Sequence, residues 1–143
     1  MKIHLPYPPS VNSLYPGKAR RYKSEKYKKW ISEATAEFFD QHPGWLVAPV
    51  PTITGPVSVN YGFGRPDKRK RDLGNLEKSV SDFLVSMGVI QDDALIQKLT
   101  LEWAPIEGCC ITAEQQEPLD DLERLQNSVP KMSDELQSRA TCD

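Results

Sequence analysis

Residues 57–103 read VSVNYGFGRPDKRKRDLGNLEKSVSDFLVSMGVIQDDALIQKLTLEW, and this stretch decides the fold. Apolar side chains alternate with small or polar ones over residues 57–63 and again over 96–103, which is the period of a half-buried strand. Between them, residues 72–88 follow helical periodicity, and Gly88 is suited to the left-handed conformation that ends a helix. The apolar arc of that helix holds Leu73, Leu76, Val80, Phe83, Leu84 and Met87, and the polar arc holds Asp72, Asn75, Lys78, Ser79 and Asp82.

The rest of the chain adds a second helix and two more strands. Ser24 is suited to be the N-cap of a helix through Gln41, whose apolar residues recur at i, i+3, i+4, i+7 and i+11. A turn over 105–108 indicates that residues 109–114 return as the hairpin partner of the preceding strand. We therefore predict an α/β fold, in which helices 24–41 and 73–87 pack on a mixed sheet of about four strands, 2–5, 56–64, 96–104 and 109–114.

The length and composition are those of one globular domain. The chain has 143 residues, of which 38% are hydrophobic and 27% charged. It contains no apolar run near the roughly 20 residues that span a membrane, and the first ten residues lack the apolar stretch of a secretory signal. The three cysteines fit neither a disulfide framework nor a metal knuckle, which favours reduced thiols in a cytosolic protein. We expect residues 1–114 to form the domain and 115–143 an acidic tail or peripheral helix.

The net charge of −2 hides an asymmetry along the chain. Residues 1–78 hold 14 Lys and Arg against 7 Asp and Glu, a balance of +7, whereas residues 79–143 hold 4 against 13, a balance of −9. Such a distribution suggests a basic binding surface together with an acidic site or tail, so a nucleic-acid partner is not excluded by the acidic pI.

Three local features could carry chemistry, and each has a plain structural alternative. The run Lys68–Arg71 is either a solvated loop or, with the basic residues between Lys18 and Lys29, a surface for phosphates. Asp72 is either a helix N-cap or a metal-binding carboxylate in a positive field. The pair Asp92–Asp93 is either a solvated loop or a cation site, and the sequence leaves open which end of the helix it approaches.

Three motifs in the same order and spacing resemble the RusA-type Holliday junction resolvases. They are the opening at residues 3–12, IHLPYPPSVN, the string at 65–78, RPDKRKRDLGNLEK, and the string at 88–94, GVIQDDA. The resemblance covers residues 3 to about 114. It implies a small homodimeric α/β endonuclease of bacteria and their prophages, in the cytoplasm, that uses Mg²⁺ to nick four-way DNA junctions symmetrically.

The family's active site consists of a DxDN motif, a later Asp in a DD pair and a helical Lys. Carried over to this chain, the resemblance implies Asp72, Asp93 and Lys78 as catalytic residues and Asn75 as the motif's Asn. It implies a metal site of Asp72 and Asp93, and we predict Asp92 as a further metal ligand. The residues expected to bind DNA are Lys68, Arg69, Lys70, Arg71, Arg20, Arg21, Lys23 and Asn75.

Gly74 stands where the motif has its second Asp. Loss of that carboxylate predicts weaker metal affinity or a displaced ion. Three explanations of Gly74 remain open. The site could have degenerated naturally, it could have been inactivated by engineering, or Asp92 or Glu77 could supply the missing oxygen. The leading prediction is a junction-resolving nuclease, and the alternatives are a catalytically inactive junction-binding protein and a basic module for RNA or duplex DNA.

Overall fold

The computed structural model describes residues 1–15, 22–48 and 51–116. Their elements are two helices, α1 (Glu25–Gln41) and α2 (Glu77–Ser86), and four strands, β1 (Lys2–Leu5), β2 (Val57–Phe63), β3 (Ile96–Trp103) and β4 (Cys109–Gln115). Short 3₁₀ turns cover Val11–Ser13, Pro43–Leu46, Leu73–Asn75 and Asp93–Leu95. The predicted α/β class with a four-stranded sheet and two helices is confirmed.

The sheet is mixed and has the strand order β1-β4-β2-β3. Strands β2 and β3 are parallel, and β4 runs antiparallel to both β1 and β2. The predicted hairpin between β3 and β4 is therefore wrong, because β2 lies between them. A turn followed by an alternating strand is compatible with any antiparallel neighbour. Strand β2, whose residues Val57, Val59, Tyr61 and Phe63 are buried, has a paired neighbour on both of its edges.

The connection from β3 to β4 crosses the end of β2 at a glycine. The Ala104 amide donates to the Phe63 carbonyl at 2.8 Å, and the Gly64 amide donates to the Gly108 carbonyl at 2.8 Å. A Cβ at Gly64 would overlap the backbone of Ile106, so only glycine lets this connection pass so closely. This crossing is what carries β4 to the far side of β2.

Helix α1 has the predicted start and the predicted buried face. The Ser24 hydroxyl accepts from the Tyr27 amide at 3.1 Å, which satisfies one of the free N–H groups of the first turn. Trp30 and Phe38 are buried, and both rings meet Phe83 of α2 edge to face, with centroids 5.6 and 6.1 Å apart. The two helices are thus joined through a shared aromatic cluster.

Helix α2 begins later than its periodicity predicts. Residues Leu73–Asn75 form a 3₁₀ turn, the α-helix starts at Glu77, and Asp72 makes no side-chain cap hydrogen bond. The N-cap interpretation of Asp72 therefore fails for the α-helix. Ser79 was expected on the polar arc, but it is buried, and its hydroxyl donates to the Pro9 carbonyl at 3.3 Å. Helical periodicity cannot predict this contact, because Pro9 belongs to the opening loop.

The far end of α2 agrees with the sequence, since Gly88 adopts a positive φ of 77° after the last turn. No helix within the described ranges is long and apolar enough to cross a membrane. Of the tail predicted over 115–143, Gln115 is the last residue of β4, and residues 117–143 lie outside the described residues.

Candidate active site

The basic loop between β2 and α2 is organised by the carboxylate of Asp67. Its Oδ1 accepts from the Arg69 amide at 3.0 Å and from Arg71 Nε at 3.2 Å. Its Oδ2 accepts from Arg69 Nε at 3.1 Å and from Arg71 Nη2 at 2.7 Å. These bonds, led by that from Arg71, hold the pKa of Asp67 well below its usual range. The loop is therefore a structured turn in which one acid orders two of the four cations.

A groove beside this loop brings together several of the predicted site residues. Its volume is about 480 Å³, and Asp72 is an exposed carboxylate on its wall. The groove is lined by Tyr7, Ser10, Lys70, Arg71, Asp72, Asn75 and Leu76. Two cations, a carboxylate and an amide thus face one concavity, which is the donor and acceptor set expected for a phosphate with a bound cation.

Arg71 lies near Tyr7 of the opening motif and is bonded to Asp67 of the loop. Its guanidinium carbon lies 5.8 Å from the centroid of the Tyr7 ring, while its Nε and Nη2 bind Asp67. Burial raises the pKa of Tyr7, so its phenol stays protonated at neutral pH. The opening motif and the central motif, far apart in the sequence, meet at this groove.

Gly74 is exposed within the 3₁₀ turn that follows Asp72. A Cβ at this position would meet no heavy atom within 4 Å, and its φ lies outside the left-handed region. The backbone at position 74 therefore does not require glycine.

Lys78 and Asp93 are not among the residues that line that groove. Lys78 Nζ donates to Asp82 Oδ1 at 3.0 Å, and this bond raises the pKa of Lys78, which keeps the ammonium charged. Asp82 and the exposed Asp93 line a second groove of about 350 Å³. The predicted DNA contact Lys23 lines the same groove and lies 5.9 Å from the Tyr27 ring centroid.

The two candidate substitutes for the missing carboxylate both take part in local structure. Asp92 Oδ1 accepts from the Ala94 amide at 2.9 Å, as the N-cap of the turn Asp93–Leu95. The hydrogen bond from the Ala94 amide is the main cause that lowers the pKa of Asp92. Glu77 accepts from the Ser81 hydroxyl, which in turn bonds to the buried Tyr61 hydroxyl at 2.9 Å.

The oxygen donors suit a hard divalent cation, but the structure does not gather them into one cage. Asp72 lines the first groove and Asp93 the second, and within residues 1–15, 22–48 and 51–116 no three Asp, Glu, His or Cys side chains lie close enough together to hold a metal ion. Mg²⁺ often keeps several waters and needs only one or two carboxylates. Single carboxylates of this chain therefore fit as ligands, whereas a three-ligand site is not formed by the described part of one chain.

The sequence missed two acids that the structure connects to site residues. Asp67 binds Arg69 and Arg71, and Asp82 binds Lys78. The i, i+4 spacing of Lys78 and Asp82 was a usable signal, whereas the loop around Asp67 has no periodicity that would have revealed its bonds. The expected DNA contacts Arg20 and Arg21 lie outside the described residues.

A groove of cations beside an exposed carboxylate, on a small α/β scaffold, is the arrangement expected of a phosphodiester-binding protein, and comparison with known proteins identifies the class. The family model "Endodeoxyribonuclease RusA" matches residues 6–112, three quarters of the chain. The chain belongs to this family of endodeoxyribonucleases. The family resemblance and the enzyme class predicted from the sequence are therefore confirmed.

Three relatives illustrate the similarity, and each is named crossover junction endodeoxyribonuclease RusA. The relative from Aquifex aeolicus is 32% identical over 92 residues, which cover 64% of this chain and 68% of the relative. That from Escherichia coli K12 is 30% identical over 97 residues, covering 66% and 74%. That from Enterobacteria phage 82 is 31% identical over 96 residues, with the same coverage. Nucleases of this family generally depend on a divalent metal ion.

Proposed function

We propose that this protein is a Mg²⁺-dependent endonuclease that resolves four-way DNA junctions inside bacterial or phage-infected cells. The observation that carries the proposal is the groove in which the exposed Asp72 carboxylate adjoins Lys70, Arg71 and Asn75. Relatives that share this part of the chain are named for crossover junctions. Family membership and groove chemistry therefore point to the same substrate.

The basic loop would bind the DNA backbone. Lys68 and Lys70 are exposed and have no ion pair within the described residues, so their ammonium groups are available for phosphates. Arg69 and Arg71 add guanidinium groups with N–H donors beyond those that bind Asp67. We propose Lys23, Arg20 and Arg21 as further DNA-binding residues, as the sequence predicts.

Asp72 and Asp93 would be the carboxylates that hold the cation, with Asp92 beside them. When bound, Mg²⁺ would activate water and neutralise charge that develops on the phosphate. Asp72 makes no side-chain cap bond, so binding a cation would not break a bond of that turn. The Asn75 amide, on the same groove wall, can orient a phosphate or a water.

Lys78 would act as a cation rather than as a base. Its bond to Asp82 raises its pKa, so it is protonated at neutral pH and has no lone pair with which to accept a proton. A fixed ammonium can stabilise negative charge on the reacting phosphate. Lys78 is therefore proposed as an electrostatic catalyst that Asp82 orients.

A homodimer would match the substrate. A four-way junction has two-fold symmetry, and paired nicks need two active sites related by the same symmetry. Sedimentation of the full chain, alone and with a synthetic junction, is expected to give two chains per junction. A single chain per junction would contradict the symmetric mechanism.

A junction-binding protein without nuclease activity is the second candidate, and Gly74 is the observation that favours it. The test is cleavage of a synthetic four-way junction with Mg²⁺ and with EDTA, together with binding competition by linear duplex and RNA. We expect symmetric nicks only with Mg²⁺ and preferential junction binding. Binding without nicks would support the second candidate, and equal competition by linear duplex or RNA would contradict both.

A further inference from the structure

The carboxylate of Asp67 stands out because it is an acid within the most basic segment of the chain. Its four hydrogen bonds, at 2.7 to 3.2 Å, come from a backbone amide and two guanidinium groups. An acid at this position reduces the positive charge of a DNA-binding loop. Asp67 therefore has a role other than the electrostatic attraction of DNA.

The four cations of the loop fall into two kinds. Lys68 and Lys70 are exposed and form no ion pair in the part of the chain that the structure describes, whereas Arg69 and Arg71 are both fixed to Asp67. The side chain of Arg69 is 79% exposed, but that of Arg71 is only 29% exposed. Arg71 is thus the cation whose position is most determined by the protein.

The contact between Asp67 and Arg71 is bidentate, with Nε on one carboxylate oxygen and Nη2 on the other. Such a fork fixes the plane of the guanidinium as well as its distance. The centroid of the Tyr7 ring lies 5.8 Å from the guanidinium carbon, so an aromatic ring borders the group in addition to the carboxylate. Arg71 and Asp72 both line the same groove, and the guanidinium of Arg71 has N–H donors beyond those that bind Asp67.

We infer that Asp67 is a positioning residue, which holds the Arg71 guanidinium at the groove of Asp72 so that Arg71 binds a DNA phosphate there in a fixed geometry. This inference rests on the proposed function and adds to it a residue that does not itself contact DNA. The gain from fixed geometry exceeds the loss of one positive charge, because a group that is already oriented loses less freedom when it binds.

Replacement of Asp67 separates this account from simple charge attraction, because the two predict opposite signs. Asp67→Asn makes the loop more positive by one charge, so attraction alone predicts tighter DNA binding. Positioning predicts weaker binding, because a neutral amide cannot accept the charged fork in the same way. The matched control is Glu107→Gln, which removes the same charge from an exposed acid that lines a groove with Arg65 and has no arginine bond in the described residues.

The experiment measures the affinity of the full chain for a synthetic four-way junction in EDTA, at several salt concentrations, so that cleavage plays no part. We expect Asp67→Asn to bind at least threefold more weakly than Glu107→Gln. Affinity falls with salt, so the slope of log affinity against log salt is negative. We expect this slope to be shallower for Asp67→Asn than for Glu107→Gln by about 0.9, the value for one lost phosphate contact. A loss of folded protein would lower the active fraction without changing that slope.

Arg71→Lys provides the second variant, because it keeps the charge and removes the fork. We expect it to weaken binding as much as Asp67→Asn does, and the double variant to be no weaker than either one alone. An affinity of Asp67→Asn within threefold of Glu107→Gln, or above it, would overturn the inference, as would additive losses in the double variant. A parent chain that does not bind the junction would overturn the proposed function, and the inference with it.

Discussion

Gly74→Asp restores the carboxylate that the family motif has at this position and is the most informative single substitution. The change should fold without strain, because a Cβ at position 74 meets nothing within 4 Å and the backbone φ is not in the left-handed region. The site is exposed and precedes α2, which begins at Glu77, so an acid is favoured by the helix dipole by about 0.3–1 kcal/mol. We expect a stability change within about 0.5 kcal/mol.

The expected gain is in catalysis. A third carboxylate next to Asp72 should bind Mg²⁺ more tightly and increase the rate of junction cleavage at least about tenfold, which is roughly 1.4 kcal/mol of transition-state stabilisation. The assay is single-turnover cleavage of a synthetic junction across a Mg²⁺ titration. Gly74→Asn is the matched control, because it fills the same space without the charge and should cleave like the parent.

One pair of results would refute this reasoning. A parent that already cleaves efficiently, with Gly74→Asp cleaving no faster, would mean that another carboxylate provides the ligand. Asp92 would then be the first candidate, and Asp92→Asn should abolish cleavage by the parent. If Gly74→Asn accelerated cleavage as much as Gly74→Asp, the gain would come from shape and not from a metal ligand.

Three further predictions follow from the loop and the core. Neutralising all of Lys68–Arg71 should weaken junction binding and flatten its salt dependence in a binding titration, and unchanged affinity would contradict it. Tyr61→Phe removes a buried hydrogen bond between β2 and α2 and should lower the free energy of unfolding in urea by about 0.5–1.5 kcal/mol. Gly64→Ala should cost about 1–3 kcal/mol in the same assay because its Cβ overlaps Ile106, whereas Gly44→Ala, with open space, should not destabilise.

Elements whose pattern is local were predicted well from the sequence. The start of α1 at Ser24 depends on a residue three positions away, and the end of α2 at Gly88 depends on that residue's own backbone freedom. Both signals act over a few residues, so neighbouring sequence contains all the information that they need.

Features that depend on distant partners could not be predicted in this way. Ser79 is buried because its hydroxyl donates to Pro9, which is 70 residues away. The neighbour of β4 is β2 and not β3, because the connection crosses the end of β2 at Gly64, and the turn residues alone do not specify that crossing. The late start of α2 was missed for a different reason, since helical periodicity over Leu73–Asn75 does not distinguish a 3₁₀ turn from an α-helix.

The candidate site shows the same division. The sequence motifs identified Asp72, Lys70, Arg71 and Asn75, and the structure brings these four to one groove. It does not bring Asp93 to that groove. The spacing of the motifs along the chain could not reveal which of the predicted residues line this groove, because that depends on how the chain folds between the motifs.

The central claim is that Asp72 and Asp93 carry the chemistry of a junction-resolving nuclease, and one comparison tests it most directly. Asp72→Asn, Asp93→Asn and the parent are incubated with a synthetic four-way junction and Mg²⁺, and cleavage and binding are measured on the same samples. Asp40→Asn, which changes an exposed carboxylate of α1, serves as the control. The account predicts that the parent and the control cleave, while both site variants bind the junction at least as tightly and do not cleave. Cleavage by both site variants at the parent rate would contradict it.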